Sequence, residues 1–102
     1  RREAIVAALR NLVENGLRVT PAGQTVIVLA DRPGLLAVRD GGPGLSPERL
    51  AIVSKRLRRA DHASADGAGL GLAIVARIMA AHGGRLTTDP ARRELRLEFP
   101  QA

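Results

Sequence analysis

Aromatic side chains are almost missing from this chain: Phe99 is the single one, and there is no Trp or Tyr. A core must therefore be built from Leu, Ile, Val and Ala, and binding of nucleic acid by stacking bases on rings is excluded. Cysteine is absent too. That rules out disulfides and thiolate metal sites, and it suits a reducing compartment such as the cytoplasm. No apolar run is long enough to span a bilayer, and no signal peptide is visible. There is no paired-carboxylate or Ser/His/Asp arrangement to follow. The two histidines, His62 and His82, have no nearby nucleophile or metal-ligand partner in the sequence, which favours structural or surface roles for both.

What is present is the composition of one globular domain. The 102 residues are 45% hydrophobic and 25% charged, enough for a single core between two packed layers. Arg1-Arg2-Glu3 already reads as helix, with no initiator Met, as expected of a segment cut from a longer protein. The formal charge of +6 suits nucleic acid, a membrane surface or a polyanionic small molecule as partner. The first lacks stacking aromatics and a long basic helix. The densest basic cluster, Lys55-Arg56-Leu57-Arg58-Arg59, is short and reads equally well as solvated surface.

Periodicity supplies the elements. Ile5, Ala8, Leu9, Leu12 and Val13 form one apolar stripe, predicting an amphipathic helix over 3–17 with Gly16 near its end. Thr25 to Ala30 is a β-branched, continuous run and reads as a strand. Arg32-Pro33-Gly34-Leu35 suits a type II turn, and Leu35 to Arg39 is the returning strand. Ser46-Pro47-Glu48 is a helix start, with a helix expected to about Arg56. Residues 58–68 have no period and read as loop. A third helix is predicted from Leu72 to His82, with Ile74, Val75, Ile78 and Met79 apolar and Gly83 as its stop. Arg85 to Thr88 and Glu94 to Phe99 form a last hairpin around Asp89-Pro90. The alternation in Glu94 to Phe99 predicts one wet and one buried face. The sum is an α/β (α+β) two-layer sandwich: a mixed, mostly antiparallel sheet of about four to five strands with three helices on one face.

Three stretches carry residue types suited to chemistry. Asn11, Asn15 and Arg18 share one polar helical stripe. Two carboxamides offer oxygens to a hard cation and Arg offers a fork to phosphate. Taken alone, the stripe fits a wet helix face better than a site. Asp40-Gly41-Gly42-Pro43-Gly44 follows a strand directly. The glycines let backbone approach a flat ligand, and an ionised Asp accepts from an exocyclic amine. An Asp-opened tight turn explains the same residues equally well. Gly67-Ala68-Gly69-Leu70-Gly71-Leu72 opens the third helix, where free N–H groups and the positive dipole end suit phosphate. It lacks the Lys-Ser/Thr of a P-loop and the spacing of the dinucleotide fingerprint, and it also reads as a flexible helix entry.

Together, Asn-x-x-x-Asn on a first helix, Asp-x-Gly-x-Gly after a strand and Gly-x-Gly-Leu-Gly-Leu opening a later helix resemble the catalytic domain of bacterial sensor histidine kinases. These belong to the Bergerat-fold superfamily, with the ATPase domains of type II topoisomerases, the ninety-kilodalton chaperone and the mismatch-repair ATPases. Leu9 to Asn15, Val19 to Gly23, Asp40 to Pro47, Ala73-Ile74-Val75 and Ala81-His82-Gly83-Gly84 extend the likeness over nearly the whole chain. The chain departs from the family pattern at Val19 (often Tyr), at Gly41 (usually Asn) and at Lys55 to Arg59 (often an aromatic pair).

The resemblance implies a role for each matching residue. Asn15 is the expected magnesium ligand, with Asn11 lining the same site and Arg18 facing the phosphates. Asp40 takes the adenine amino group, and Gly42 and Gly44 shape the adenine pocket. Gly67, Gly69 and Gly71, with Leu70 and Leu72 in the same box, hinge a lid over 57–68 and open the phosphate-facing helix. Arg58 and Arg59 are the lid's cationic donors. The implied enzyme is a protein histidine kinase. It would bind ATP or ADP with Mg2+ and pass the γ-phosphate to a histidine on a separate dimerisation domain, with a response regulator downstream. No nucleic acid and no direct membrane contact are expected, and the domain would sit on the cytoplasmic side of an inner-membrane receptor. The alternatives are a degenerate nucleotide-binding regulatory module, or a serine-directed kinase of the same superfamily acting on an anti-sigma partner.

Overall fold

The computed structural model describes residues 2–55 and 68–101. Helix α1 spans Arg2–Val19, strands β1 and β2 span Ile27–Arg32 and Leu35–Arg39, and helix α2 spans Pro47–Val53. Helix α3 spans Ala68–Ala81, followed by β3 at Arg85–Asp89 and β4 at Glu94–Glu98. The four strands lie in the order β1-β2-β4-β3, and every pairing among the described residues is antiparallel. The sheet is thus simpler than the mixed one expected from the sequence. The crossover from β2 through α2 and α3 skips one position, and β4 returns into the gap, so β2 and β3 run in the same direction without pairing.

The core is aliphatic, as the missing aromatics demand. Ala8 and Leu12 from α1 and Leu72, Val75 and Met79 from α3 meet Val38, Leu95 and Leu97 from the inner sheet face. Ile5, Leu9, Val13 and Phe99 flank this core, half-buried. Each fully buried Leu contributes about 1.5–3 kcal/mol relative to exposure, so these few side chains carry much of the fold. Ile74, expected on the apolar face of α3, is instead exposed. The helix begins a turn earlier than predicted, and its buried face runs through Leu72, Val75 and Met79 at i, i+3 and i+7.

Local chemistry sets the ends. The Ser46 side chain accepts from the Arg49 N–H at 3.1 Å and caps α2, whose first turn holds Pro47 and Glu48. Helix α2 stops at Val53, short of Arg56, with the Ser54 N–H returned to the Leu50 carbonyl. Strand β1 sits two residues later than predicted, because it runs straight into the Pro33-Gly34 turn: Arg32 pairs with Leu35, and Gly34 takes φ +77°. As an edge strand it buries little of its β-branched run. At the end of α3, Gly83 adopts φ +74° and the Gly84 N–H reaches back to the Met79 carbonyl at 2.8 Å, the helix stop read from the sequence. Among the described residues no helix is long and apolar enough to cross a membrane. Arg56 to Gly67, which include Arg58, Arg59, Gly67 and all of the expected 57–68 lid except Ala68, lie outside the described residues.

Candidate nucleotide site

Helix α1 forms one wall of the site, because its polar stripe faces α3 at one end and the tip of β2 at the other. Asn11 donates its Nδ2 to the Ala7 carbonyl at 2.9 Å, one turn back, which leaves Oδ1 free to point across. What it points at is the first turn of α3: a Cβ added at Gly71 would lie 3.4 Å from Asn11 Oδ1. Asn15, one turn later on the same face, is 8% exposed. Among the described residues its carboxamide has no hydrogen-bond partner. A buried polar group in that condition is rare in a folded protein, and the unmet bonds cost about 1–3 kcal/mol. Arg18, another turn on, is exposed in the last turn of α1.

The other end of the wall meets Asp40. Gly16 permits the approach, since a Cβ there would lie 3.3 Å from both Asp40 Cβ and Val26 Cγ1. Asp40 Oδ1 accepts the Gly42 N–H at 2.8 Å, which folds the loop into a tight turn, and the Gly41 N–H donates to Thr20 Oγ1 at 2.9 Å. One carboxylate oxygen of Asp40 therefore holds the loop, and the other is left for a donor. Gly44 closes the loop at φ +86°, against the Pro90 carbonyl. Turn and site, which competed as readings of this segment, are geometrically compatible.

From Asn11 to Gly16 the helix axis advances about 7.5 Å at 1.5 Å per residue. That spacing is enough to set a sugar between a base at Asp40 and phosphates at the start of α3. Gly69 and Gly71 lie inside the first turn of α3 rather than before it, so the unpaired N–H groups belong to this very segment. Leu70 is half-buried. Leu72 is 3% exposed, and its side chain belongs to the core. Among the described residues no cluster of three His, Cys, Asp or Glu could hold a metal ion. A hard cation here would rely on carboxamide and phosphate oxygens, a donor set that magnesium accepts.

One group escaped the sequence reading. Glu94 was expected on the wet face of β4, yet it is 4% exposed. Arg39 Nε donates to its Oε2 at 2.9 Å, with a second, shorter bond from the same guanidinium, and Arg96 Nε donates to Oε1 at 3.1 Å. Burial pushes the Glu94 carboxyl up, but the hydrogen bonds and charges of Arg39 and Arg96 together outweigh it and hold it below the usual range. The partners lie 55 residues apart in the chain, so only the β2–β4 register brings them together.

The fold and cleft define a class, and the comparisons agree with it. The model of the family described as "Histidine kinase-, DNA gyrase B-, and HSP90-like ATPase" matches residues 1–102, and the chain belongs to that family. It is an ATP-binding domain of this kind. Similar proteins include the Escherichia coli sensor protein QseC, 44% identical over 75 residues, which cover 74% of this chain and 16% of that protein. The Pseudomonas aeruginosa sensor protein kinase PmrB is 42% identical over 84 residues, or 78% of this chain and 18% of that protein. The chain thus spans under a fifth of the length of these curated relatives. Among solved structures, the mycobacterial sensor histidine kinase MprB matches with TM-score 0.69 and 30% identity, covering 99% of this chain and 74% of that one. Every strand and helix that frames the cleft falls within that match.

Proposed function

We propose that this domain binds ATP in the cleft between α1, the Asp40–Gly44 loop and the start of α3, and serves as the catalytic domain of a sensor histidine kinase. The observation that carries the reading is Asn15: a buried carboxamide with no hydrogen-bond partner among the described residues, on the same helix face as an Asn that confronts the first turn of α3. A magnesium ion held by Asn15, with Asn11 beside it, would offset the charge of the phosphate oxygens. The free oxygen of Asp40 accepts from the adenine amino group, Gly42 and Gly44 leave room for the ring, and the first-turn N–H groups of α3 face the phosphates. Arg18, at the rim, adds positive charge. Arg58 and Arg59 of the lid, Gly67 at its hinge, and Gly69 with Leu70 and Leu72 in the helix-opening box complete the proposed contacts.

The chemistry is transfer, and the chain contributes position and charge more than covalent steps. A nitrogen of an acceptor imidazole bonds to the γ-phosphorus as the bridging P–O bond to the β-phosphate breaks, and ADP leaves. The acceptor belongs to a dimerisation domain outside these residues, and a response regulator would take the phosphoryl group onward. The relatives are sensor proteins, which supports a place on the cytoplasmic side of a membrane receptor. Neither the degenerate module nor the serine-directed kinase gains support from them. Incubating the domain with radiolabelled magnesium-ATP, alone and with a histidine-bearing dimerisation domain, tests the reading. Label should reach the acceptor histidine only when that domain is supplied; label on His62 or His82 of the isolated domain would overturn it.

A further inference from the structure

The Asp40–Gly44 loop does not hold its shape alone. Four contacts tie it to the β3–β4 hairpin. The Asp40 N–H donates to the Arg93 carbonyl at 3.0 Å. Gly44 rests on the Pro90 backbone so closely that a Cβ would stand 2.9 Å from the Pro90 carbonyl oxygen. Thr88 Oγ1 donates to the Leu45 carbonyl at 2.6 Å, just past the loop. Arg39, the residue before Asp40, is gripped by buried Glu94. The hairpin is built to present these groups: Asp89 caps a short 3-10 turn at Pro90–Arg92, and Arg93 takes the left-handed conformation at φ 57°. Arg93 is the single non-glycine residue with positive φ among the described residues, and its conformation directs its carbonyl at Asp40. Glu94 follows at once and is held from its other side by Arg96, which also meets Asp89 at 3.3 Å.

We propose that Glu94 is a positioning residue for nucleotide-base recognition: by fixing Arg39 against the rigid Asp89–Glu94 hairpin, it sets where the Asp40 carboxylate stands. A charge-assisted hydrogen bond weakens steeply with small displacements, so a buried grip on the neighbouring residue governs selectivity without touching the ligand. The outer sheet face, which reads as mere solvated surface in sequence, thereby acts on the cleft through the end of β2. The inference rests on the reading of Asp40 as the acceptor for the adenine amine.

Affinities for ADP and for inosine diphosphate, whose ring carries a carbonyl in place of that amine, separate the two ideas. The parent domain should favour ADP by roughly tenfold or more, the worth of one charge-assisted bond. Asp40→Ala should bring the ratio near one. Glu94→Gln should lower the ratio by roughly threefold to tenfold while leaving the inosine diphosphate affinity within about twofold. In the Asp40→Ala background it should not change the ratio further. If Glu94→Gln weakens both nucleotides by the same factor, or leaves the ratio untouched while Asp40→Ala collapses it, Glu94 is only a fold residue and the inference fails. If Asp40→Ala itself leaves the ratio unchanged, the reading of Asp40 fails and takes the inference with it. Should Glu94→Gln not fold, Arg39→Met carries the same test with the same expected loss. Arg39 has a 41% exposed side chain outside the core, and Glu94 keeps its bonds to Arg96 in that variant.

Discussion

Replacing Asn15 with Ala separates a ligand-binding residue from a structural one, because the two roles predict opposite changes in stability. In the free domain the Asn15 carboxamide is buried and has no hydrogen-bond partner among the described residues, a condition that costs about 1–3 kcal/mol. Deleting it removes that cost and replaces Asn with a better helix former, a gain of about 0.5 kcal/mol. Against this stands the lost packing of a medium-sized side chain, about 1–2 kcal/mol. The net change runs from about 0.5 kcal/mol of destabilisation to about 2.5 kcal/mol of stabilisation, or a rise in Tm of up to about 10–20 °C for a domain of this size. Binding should move the other way. Losing one oxygen ligand to the bridging cation weakens magnesium-nucleotide affinity by about 1.5–3 kcal/mol, roughly tenfold to hundredfold. Affinity for nucleotide without magnesium should hardly change. Thermal melts and calorimetric titrations of parent and variant, each with and without magnesium, measure all of these. A variant that melts well below the parent but binds magnesium-nucleotide normally would refute the reasoning and make Asn15 a fold residue.

Asp40→Asn should weaken ADP binding by about 1.5–3 kcal/mol, since the amide presents a donor where an acceptor is needed, and calorimetry at equal folded fraction checks it. Because the Glu94 carboxyl lies below its usual range when folded, its contribution is fully present above the unfolded value, about 4.3, and is lost as pH falls through the folded value. Melts at pH 6 and pH 3 should therefore differ more for the parent than for Glu94→Gln, with Arg39, Arg96 and, through Arg96, Asp89 the charged groups around it; equal slopes would contradict the role given to Arg39 and Arg96. Arg93→Gly relieves a left-handed backbone at φ 57° and should raise stability by about 0.5–1 kcal/mol, seen as a higher Tm, with ADP affinity unchanged.

The sequence made the elements legible where periodicity or cap chemistry is strong. The apolar stripe of α1, the Ser46 cap, the Pro33-Gly34 turn and the Gly83 stop all appear where the residues place them. Boundaries slipped where flanking geometry decides. Strand β1 moved toward its turn, and α3 began inside its glycine box, because helix-compatible glycines do not mark where a helix starts. The site was legible as three segments, Asn11 to Arg18, Asp40 to Gly44 and Gly69 to Leu72. Their proximity was not, since it depends on Gly16 and Gly71 allowing backbone to approach Asp40 and Asn11. Glu94 was out of reach: alternation in β4 marks it as solvent-facing, but it is buried beneath Arg96 of its own strand and Arg39 of β2, which lies 55 residues away in sequence.

The central claim is that α1, the Asp40 loop and the start of α3 enclose one nucleotide, with a divalent cation at Asn15. Calorimetric titration of the domain with a non-hydrolysable ATP analogue, with and without magnesium, tests it most directly. A single site at micromolar to submillimolar affinity, about 4–8 kcal/mol, tighter with magnesium and weakened by Asn15→Ala only when magnesium is present, is the predicted result. No detectable heat at millimolar analogue, or equal binding with and without magnesium, would contradict it.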